Sequence, residues 1–282
     1  MTRAAFATLL ALVAFASNSI LCRLALRAGA IDPASFTAIR LVSGAVVLSI
    51  LVAARKKTPA AGARRPWLAA FWLTLYAVPF SWAYVDLPAG TGSLLAFASV
   101  QITMIVVSIV RGSAPTLRQW GGLVIAFLGV VWLVLPGVAA PRPANAALMI
   151  VAGAAWGFYT LGGRGSTDPL GQTARNFVWS LPYVFVVCAL TWPRSVPATS
   201  GVVCAIASGA LASGLGYAIW YEALRSLSAI PAASVQLATP VITAAGGIAF
   251  LGETLSLRLV ESSVLVLGGI GLTFARSRRG PS

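Results

Sequence analysis

Residues 227–258 read LSAIPAASVQLATPVITAAGGIAFLGETLSLR, and the rest of the chain is read outward from them. The stretch is apolar over a length that crosses a bilayer, is interrupted by Pro240, holds one amide at Gln236 and closes on Gly252-Glu253. Residues 87–118, LPAGTGSLLAFASVQITMIVVSIVRGSAPTLR, repeat it without a gap. Leu87 aligns with Leu227, Ala89 with Ala229, Thr103 with Thr243, Gly112 with Gly252, Leu117 with Leu257 and Arg118 with Arg258; further on, Gly129 aligns with Gly269. The chain is two related halves, 1–140 and 141–282, each expected to form one repeat.

Composition sets the class. Hydrophobic residues make up 59% of the 282 and charged residues 9%, values outside the range of a soluble domain. The net charge of +14 would suggest nucleic acid in a soluble protein, but here the basic residues punctuate apolar runs, as orientation signals do. Nucleic acid is therefore not an expected partner. There are no histidines, which removes the commonest general base and any Ser/His pair. Cys22, Cys188 and Cys204 lie in or beside apolar runs without CxxC spacing, so buried thiols are expected and a metal site is not. Cys188 and Cys204 fall at similar depths of one helical hairpin, which leaves a disulfide between them open. Arg3, the apolar run after it and Ala14-Phe15-Ala16 imitate a signal peptide, but this segment has a counterpart in the second half and is read as a retained first helix.

Ten apolar runs have the length of a membrane-spanning helix: about 4–26, 34–54, 67–85, 88–110, 117–136, 144–163, 170–192, 200–222, 229–251 and 257–276. Asp32-Pro33 and Asp168-Pro169 each place a capping carboxylate before a proline at the first helical position, opening helices 2 and 7. With the N-terminus in the cytoplasm, thirteen Lys and Arg residues fall on inside segments and five outside, with Arg40 and Arg175 left within helices. Both termini are therefore expected in the cytoplasm. Five helices per repeat is an odd number, so the second repeat is inverted relative to the first, an architecture of alternating-access transporters.

At this point the residues resemble a known family. The run Gly216-Tyr217-Ala218-Ile219-Trp220-Tyr221-Glu222-Ala223-Leu224, then Pro240, Gly252-Glu253 and Gly268-Gly269, is similar to the second EamA repeat of the drug/metabolite transporter superfamily. Asp32-Pro33 with Arg40-Leu41 fits the first repeat, and Trp156-Gly157 fits the start of the second. The resemblance covers essentially the whole chain. Length and aromatic-rich helices look most like YddG-type exporters of aromatic amino acids. The resemblance implies ten helices, a central cavity and export of small metabolites; a bacterial inner membrane is the expected location, no cofactor is expected, and an enzyme is not expected because no nucleophile with a base and no paired carboxylates are visible near mid-depth. The small multidrug members carry a membrane glutamate in helix 1, whereas this helix reads Ala16-Ser17-Asn18-Ser19, a departure that argues against proton-for-cation exchange by that route.

Several residues are candidates for the cavity. Pro240 leaves the Gln236 carbonyl without its helical donor, so helix 9 is expected to bend there and present Gln236 to the interior; a structural kink is the alternative. Gln101 lies in the equivalent neighbourhood of helix 4, and Asn18 is an uncharged polar group near mid-membrane that could meet a zwitterion or join neighbouring helices. Helix 3 carries Trp72, Tyr76, Phe80 and Tyr84 on one stripe beside Pro79, a second expected hinge. The mid-helix aromatics Trp82, Trp156, Tyr159, Trp179 and Tyr217 are the expected cavity walls, the rest belonging to interfacial belts or packing. Arg40 and Arg175 are possible charge partners for a carboxylate, although Arg40 is only about 10 Å from its helix start, within snorkelling reach of the headgroups. Gly153 and Gly157, with Gly209, Ser213, Gly214 and Gly216, offer close-packing surfaces. Helices 1, 3, 4, 6, 8 and 9 are expected to line the cavity, with 5 and 10 peripheral or at a subunit contact of a monomer or homodimer.

No GxxxxGK[ST] sequence exists, so the chain does not hydrolyse ATP by that route, and its six acids all fall near expected helix ends. Movement down a substrate gradient is the simplest energetic expectation. The alternatives are another solute (a nucleotide-sugar, a sugar phosphate or a cationic drug), an intramembrane enzyme, or a structural membrane subunit.

Overall fold

The computed structural model describes residues 3–55, 66–112, 116–137, 140–163, 166–191, 196–224 and 235–274. Helices α1 (Arg3–Arg27), α2 (Pro33–Ala53), α3 (Pro66–Ala83), α4 (Ala89–Val110) and α5 (Leu117–Val134) form the first half. In the second half, α6 (Pro143–Gly163) and α7 (Pro169–Thr191) precede α8, which runs through three consecutive pieces. These are Thr199–Ala207, the π-helical Ser208–Leu215, and Gly216–Leu224. Then come α9 (Ala238–Leu251) and α10 (Leu257–Phe274). Among the described residues seven helices are long and apolar enough to cross a membrane, and the protein is an all-helical membrane protein.

The helix starts follow from local chemistry. Asp32 caps α2 by accepting from the Ser35 N–H at 2.9 Å, with Pro33 in the first turn. Asp168 accepts from the Gly171 N–H at 3.1 Å to start α7, while Thr116 and Gln119 form a reciprocal capping box on α5. Gly112 and Gly252, the pair 140 positions apart, both adopt positive φ, 94° and 63°, past the ends of α4 and α9. Only glycine takes that conformation cheaply, so the repeat is preserved in backbone geometry as well as in sequence.

The inversion is plain in α5 and α10, which pack antiparallel on each other. Arg118 at the start of α5 donates to the Leu272 carbonyl near the end of α10, at 3.3 Å. Its repeat partner Arg258, at the start of α10, donates to the Leu135 carbonyl at the end of α5. A Cβ on Gly129 would sit 2.8 Å from Leu265, and one on Gly269 would sit 2.5 Å from the Ala126 amide nitrogen, so the two glycines let the backbones touch reciprocally. This pair stands to one side of a bundle made by the other eight helices, peripheral as expected.

Within that bundle, small residues set which helices meet. A Cβ on Gly153 would lie 2.4 Å from the Ala96 carbonyl, which brings α6 against α4. A Cβ on Gly209 would lie 2.1 Å from the Arg40 carbonyl, which brings the π segment of α8 against α2. Large apolar side chains such as Phe6, Val110, Leu190 and Phe250 are exposed on the perimeter, the surface a bilayer covers. The three cysteines are free, so no disulfide joins Cys188 and Cys204.

The ninth helical run is interrupted just before Pro240. Residues 235–236 are helical, Leu237 is a turn, and α9 restarts at Ala238 with Pro240 in its first turn. Pro240 has no N–H to give the Gln236 carbonyl, and the interruption at Leu237 falls directly after Gln236, in the place where a bend was expected. Pro79 does lie inside α3. Residues 229–234 of the expected ninth span lie outside the described residues, as do Lys56, Lys57, Arg64, Arg65, Arg164, Arg194, Arg225, Arg276, Arg278 and Arg279 of the charge count.

Candidate functional site

A cavity of about 620 Å³ lies at the centre of the bundle. It runs from Asn18, Ser19 and Phe80 to Arg55, Ser166 and Thr167 at the α2–α3 and α6–α7 connections. Among the described residues, its walls come from α1, α3, α4, α6, α7 and α8, with Gln236 ahead of α9. Both halves of the chain contribute.

Trp156 is the hub of the aromatic wall. Its ring is stacked on Tyr159 at 5.0 Å and on Tyr217 at 5.5 Å, and lies 4.8 Å from the tilted ring of Tyr76. Phe15 of α1 extends the cluster to Tyr217 and Trp220, each at 5.8 Å. Four helices thus present ring faces and edges to one space, and a flat ligand can stack there at little conformational cost.

The polar groups come in two amide–phenol pairs, one in each half. Asn18 Nδ2 donates to the Tyr76 hydroxyl at 3.2 Å, and Asn176 Nδ2 donates to the Tyr159 hydroxyl at 3.2 Å. The Asn18 amide is fixed from its other side by the Ser208 hydroxyl, which donates to Oδ1 at 2.5 Å. Ser208 opens the π segment, where wider helical hydrogen bonding places Ala212 and Ser213 on the cavity as well.

Of the residues expected from the sequence, Asn18, Trp156, Tyr159, Tyr217 and Gln236 line this cavity. Three do not. Trp179 is 49% exposed, because the inward stripe of α7 is Gln172, Thr173, Asn176 and Ser180, and Trp179 falls off its edge onto the perimeter. Trp82 is half-buried away from the wall. Gln101 is buried just past Val100, whose stripe of Phe97, Val100 and Met104 is the one α4 turns to the cavity.

The two arginines part company. Arg175 is half-buried and off the wall. Arg40 does not snorkel: it is 2% exposed, its guanidinium 5.2 Å from the ring centres of both Tyr76 and Phe80, with Nη2 donating to the Tyr76 hydroxyl at 3.0 Å. The glycine-smooth face of α8 packs over α2 at this level and leaves the side chain no path outward.

Asn176 and the inward stripe of α7 were missed from sequence, which had nominated Arg175 and Trp179 on that helix instead. The signal was present, since Arg40 lies eight residues after Asp32 and Asn176 eight after Asp168, the two capping aspartates of the repeat. The repeat counterpart of Arg40 is therefore Asn176, and its neighbour Arg175 is not.

At the other end of the bundle a charged cluster joins the helix ends. Arg23 Nε meets Glu253 Oε1 at 3.3 Å, and Arg23 Nη1 donates to the carbonyls of Tyr84 at 3.1 Å and Val85 at 2.6 Å. Glu253 Oε2 accepts from the Ala89 N–H at the start of α4, at 2.8 Å. Arg27 donates to the Leu251 carbonyl at 2.6 Å. Arg23 and Glu253 together thus tie the ends of α1, α3, α4 and α9. At the cavity's own end, Arg55 faces Asp168 at 3.7 Å.

Residues 2–135 and 144–275 each match the EamA-like transporter family. The chain belongs to that family. It is a multi-pass membrane transporter, and the two matches are those of a duplicated repeat. An uncharacterized protein of Pseudomonas aeruginosa is 47% identical over 268 residues, covering 95% of this chain and 93% of its own. An uncharacterized transporter of Archaeoglobus fulgidus is 30% identical over 212 residues, covering 72% and 74% respectively. A crystal structure of a protein 18% identical in sequence superposes with a TM-score of 0.66 over 95% of this chain and 97% of that one, a likeness of fold. An EamA-family transporter carries a solute across the bilayer and is not an enzyme, and a structural-subunit role falls with it.

Proposed function

We propose that this EamA-family protein is an alternating-access exporter of small metabolites, with amino acids, aromatic ones among them, as its leading substrates. Its repeats are residues 1–140 and 141–282, it sits in a bacterial inner membrane with both termini cytoplasmic, and it works as a monomer or homodimer. The observation that carries this reading is the aromatic cavity at the junction of the two halves, with Trp156 at its centre and an amide–phenol pair in each half. Its volume of about 620 Å³ is in the range that encloses a small metabolite. Asn18, Trp156, Tyr159, Tyr217 and Gln236 are the proposed substrate contacts, with Asn176 added, and Leu237 and Pro79 mark where α9 and α3 can flex.

The wall also bears on the rival substrates. Among its described residues there is no carboxylate to draw in a cationic drug. Arg55, which is paired with Asp168, is the one cation among them, whereas a phosphate group is met by several converging donors. A latched end opposite a central cavity is what one face of an alternating-access cycle requires.

The test is efflux of labelled phenylalanine, tryptophan, threonine and a nucleotide-sugar from proteoliposomes of the pure chain, with Gln236→Ala alongside. Efflux of the amino acids alone, reduced in the variant, is expected. Efflux of the nucleotide-sugar alone would replace the substrate class, and an imposed pH gradient that drove amino acid accumulation would replace the gradient-driven mode.

A further inference from the structure

Arg40 poses a question that packing does not answer. An arginine stays protonated in proteins, and a buried cation is costly unless a counter-charge or a full set of acceptors meets it. Arg40 is 2% exposed, and its Nε and Nη1 have no hydrogen-bond partner. None of the described carboxylates pairs with it: Asp168, Asp86 and Glu253 pair with Arg55, Arg142 and Arg23, and Glu261 takes the Trp132 indole N–H. Asp32 caps the same helix eight residues earlier, roughly 12 Å away along the axis. What Arg40 does have are the rings of Tyr76 and Phe80, both of which line the cavity, and the Tyr76 hydroxyl.

The hydrogen bonds around Tyr76 have a fixed direction. Arg40 Nη2 can only donate, and it donates to the phenol oxygen. Asn18 Nδ2 donates to the same oxygen, because Asn18 Oδ1 is already occupied by the Ser208 hydroxyl. Both lone pairs of the Tyr76 oxygen are therefore filled, and its own proton must be offered elsewhere. Tyr76 forms part of the cavity wall, and we assign that proton to the cavity side. A phenol that accepts from a guanidinium is polarised into a stronger donor.

We propose that the Tyr76 hydroxyl, charged from behind by Arg40, is the anion subsite of this cavity, and that it takes the carboxylate of the transported solute. The inference rests on the cavity being the solute's route, and it adds which group of the solute docks where. The Arg40 charge is neutralised only while the solute is bound, so the subsite favours a singly anionic head over the corresponding neutral amide. Asn176, at the matching register of the second half, holds no charge; its Oδ1 is buried and unpartnered, an acceptor for an N–H of the same solute.

The test uses the purified full chain and isothermal titration with benzoate and benzamide, which differ only in the group at issue. Wild type is expected to bind benzoate about tenfold or more tightly than benzamide, the size of a charge-assisted hydrogen bond. Tyr76→Phe, which keeps the ring and removes the donor, is expected to erase that preference, and Arg40→Gln to weaken benzoate while leaving benzamide within about twofold. A folded Tyr76→Phe that retains the preference, or a wild type without one, would overturn the subsite. Efflux separates this from the broader reading. Phenylalanine moving as fast as phenylalaninamide in wild type, with both lost in Trp156→Ala, would leave the cavity standing and reject the subsite. Benzoate preference without efflux of either compound would keep the subsite and reject the substrate proposal.

Discussion

Replacing Glu253 by alanine should open the latched end of the bundle, and its size can be worked from the contacts. The carboxylate accepts from Arg23 at 3.3 Å and from the Ala89 N–H at 2.8 Å, with the side chains of Arg23 and Glu253 only 15% and 13% exposed. Both bonds are charge-assisted, and removal leaves a part-buried guanidinium and a helix-start N–H without their acceptor. A combined loss of about 2–3 kcal/mol is reasonable for such a pair. If the bonds exist only in the latched state, the ratio of open to latched forms rises about 30- to 140-fold. The reporter is native: Cys22, adjacent to Arg23 in sequence, is fully buried in the latched form. With Cys188 and Cys204 replaced by alanine it is the sole thiol, and its labelling rate by a small maleimide tracks the opening. The rate should rise by that factor in Glu253→Ala and by less in Glu253→Gln, whose carbonyl oxygen can still accept from Ala89. A rate within about threefold of the parent would mean that the cluster does not hold this end shut.

Other outcomes follow from the same contacts. Trp156→Ala should cut amino acid efflux at least tenfold by emptying the centre of the stack, whereas Trp179→Ala, on the perimeter, should stay within about twofold in the same assay. Gly209→Ala places a methyl 2.0 Å from Ser43 Oγ and 2.1 Å from the Arg40 carbonyl, so thermal unfolding in detergent should show a loss of about 1–3 kcal/mol. Asp32→Ala should cost about 1 kcal/mol by uncapping α2, read in the same unfolding assay, with Asp32→Asn nearly neutral.

Ten helices, the duplication and the helix starts were legible because they depend on short-range chemistry. Run length, Asp-Pro pairs and the 140-residue offset survive in any fold that uses them, and Gly112 and Gly252 carry the repeat into backbone angles. Facing was harder. A helix that is apolar all round gives no periodicity to orient it, so Trp179, placed by depth, and Gln101, placed by its repeat neighbourhood, came out off the wall. Arg40 read as a snorkelling residue because distance from a helix end ignores what packs over it, namely the glycines of α8. The π segment has no sequence signature beyond a run of small residues, yet it is what brings Ser208 to Asn18. Asn176 could have been found by carrying the Asp32-to-Arg40 spacing into the second repeat.

Counterflow tests the central claim most directly. Proteoliposomes of the pure chain are loaded with unlabelled phenylalanine and diluted into a trace of labelled phenylalanine outside. A carrier whose single central cavity faces the two sides in turn predicts a transient accumulation of label above equilibrium, abolished in Trp156→Ala. Label that only equilibrates, or that accumulates equally with Trp156 removed, would contradict the assignment of this cavity as an alternating-access route for aromatic amino acids.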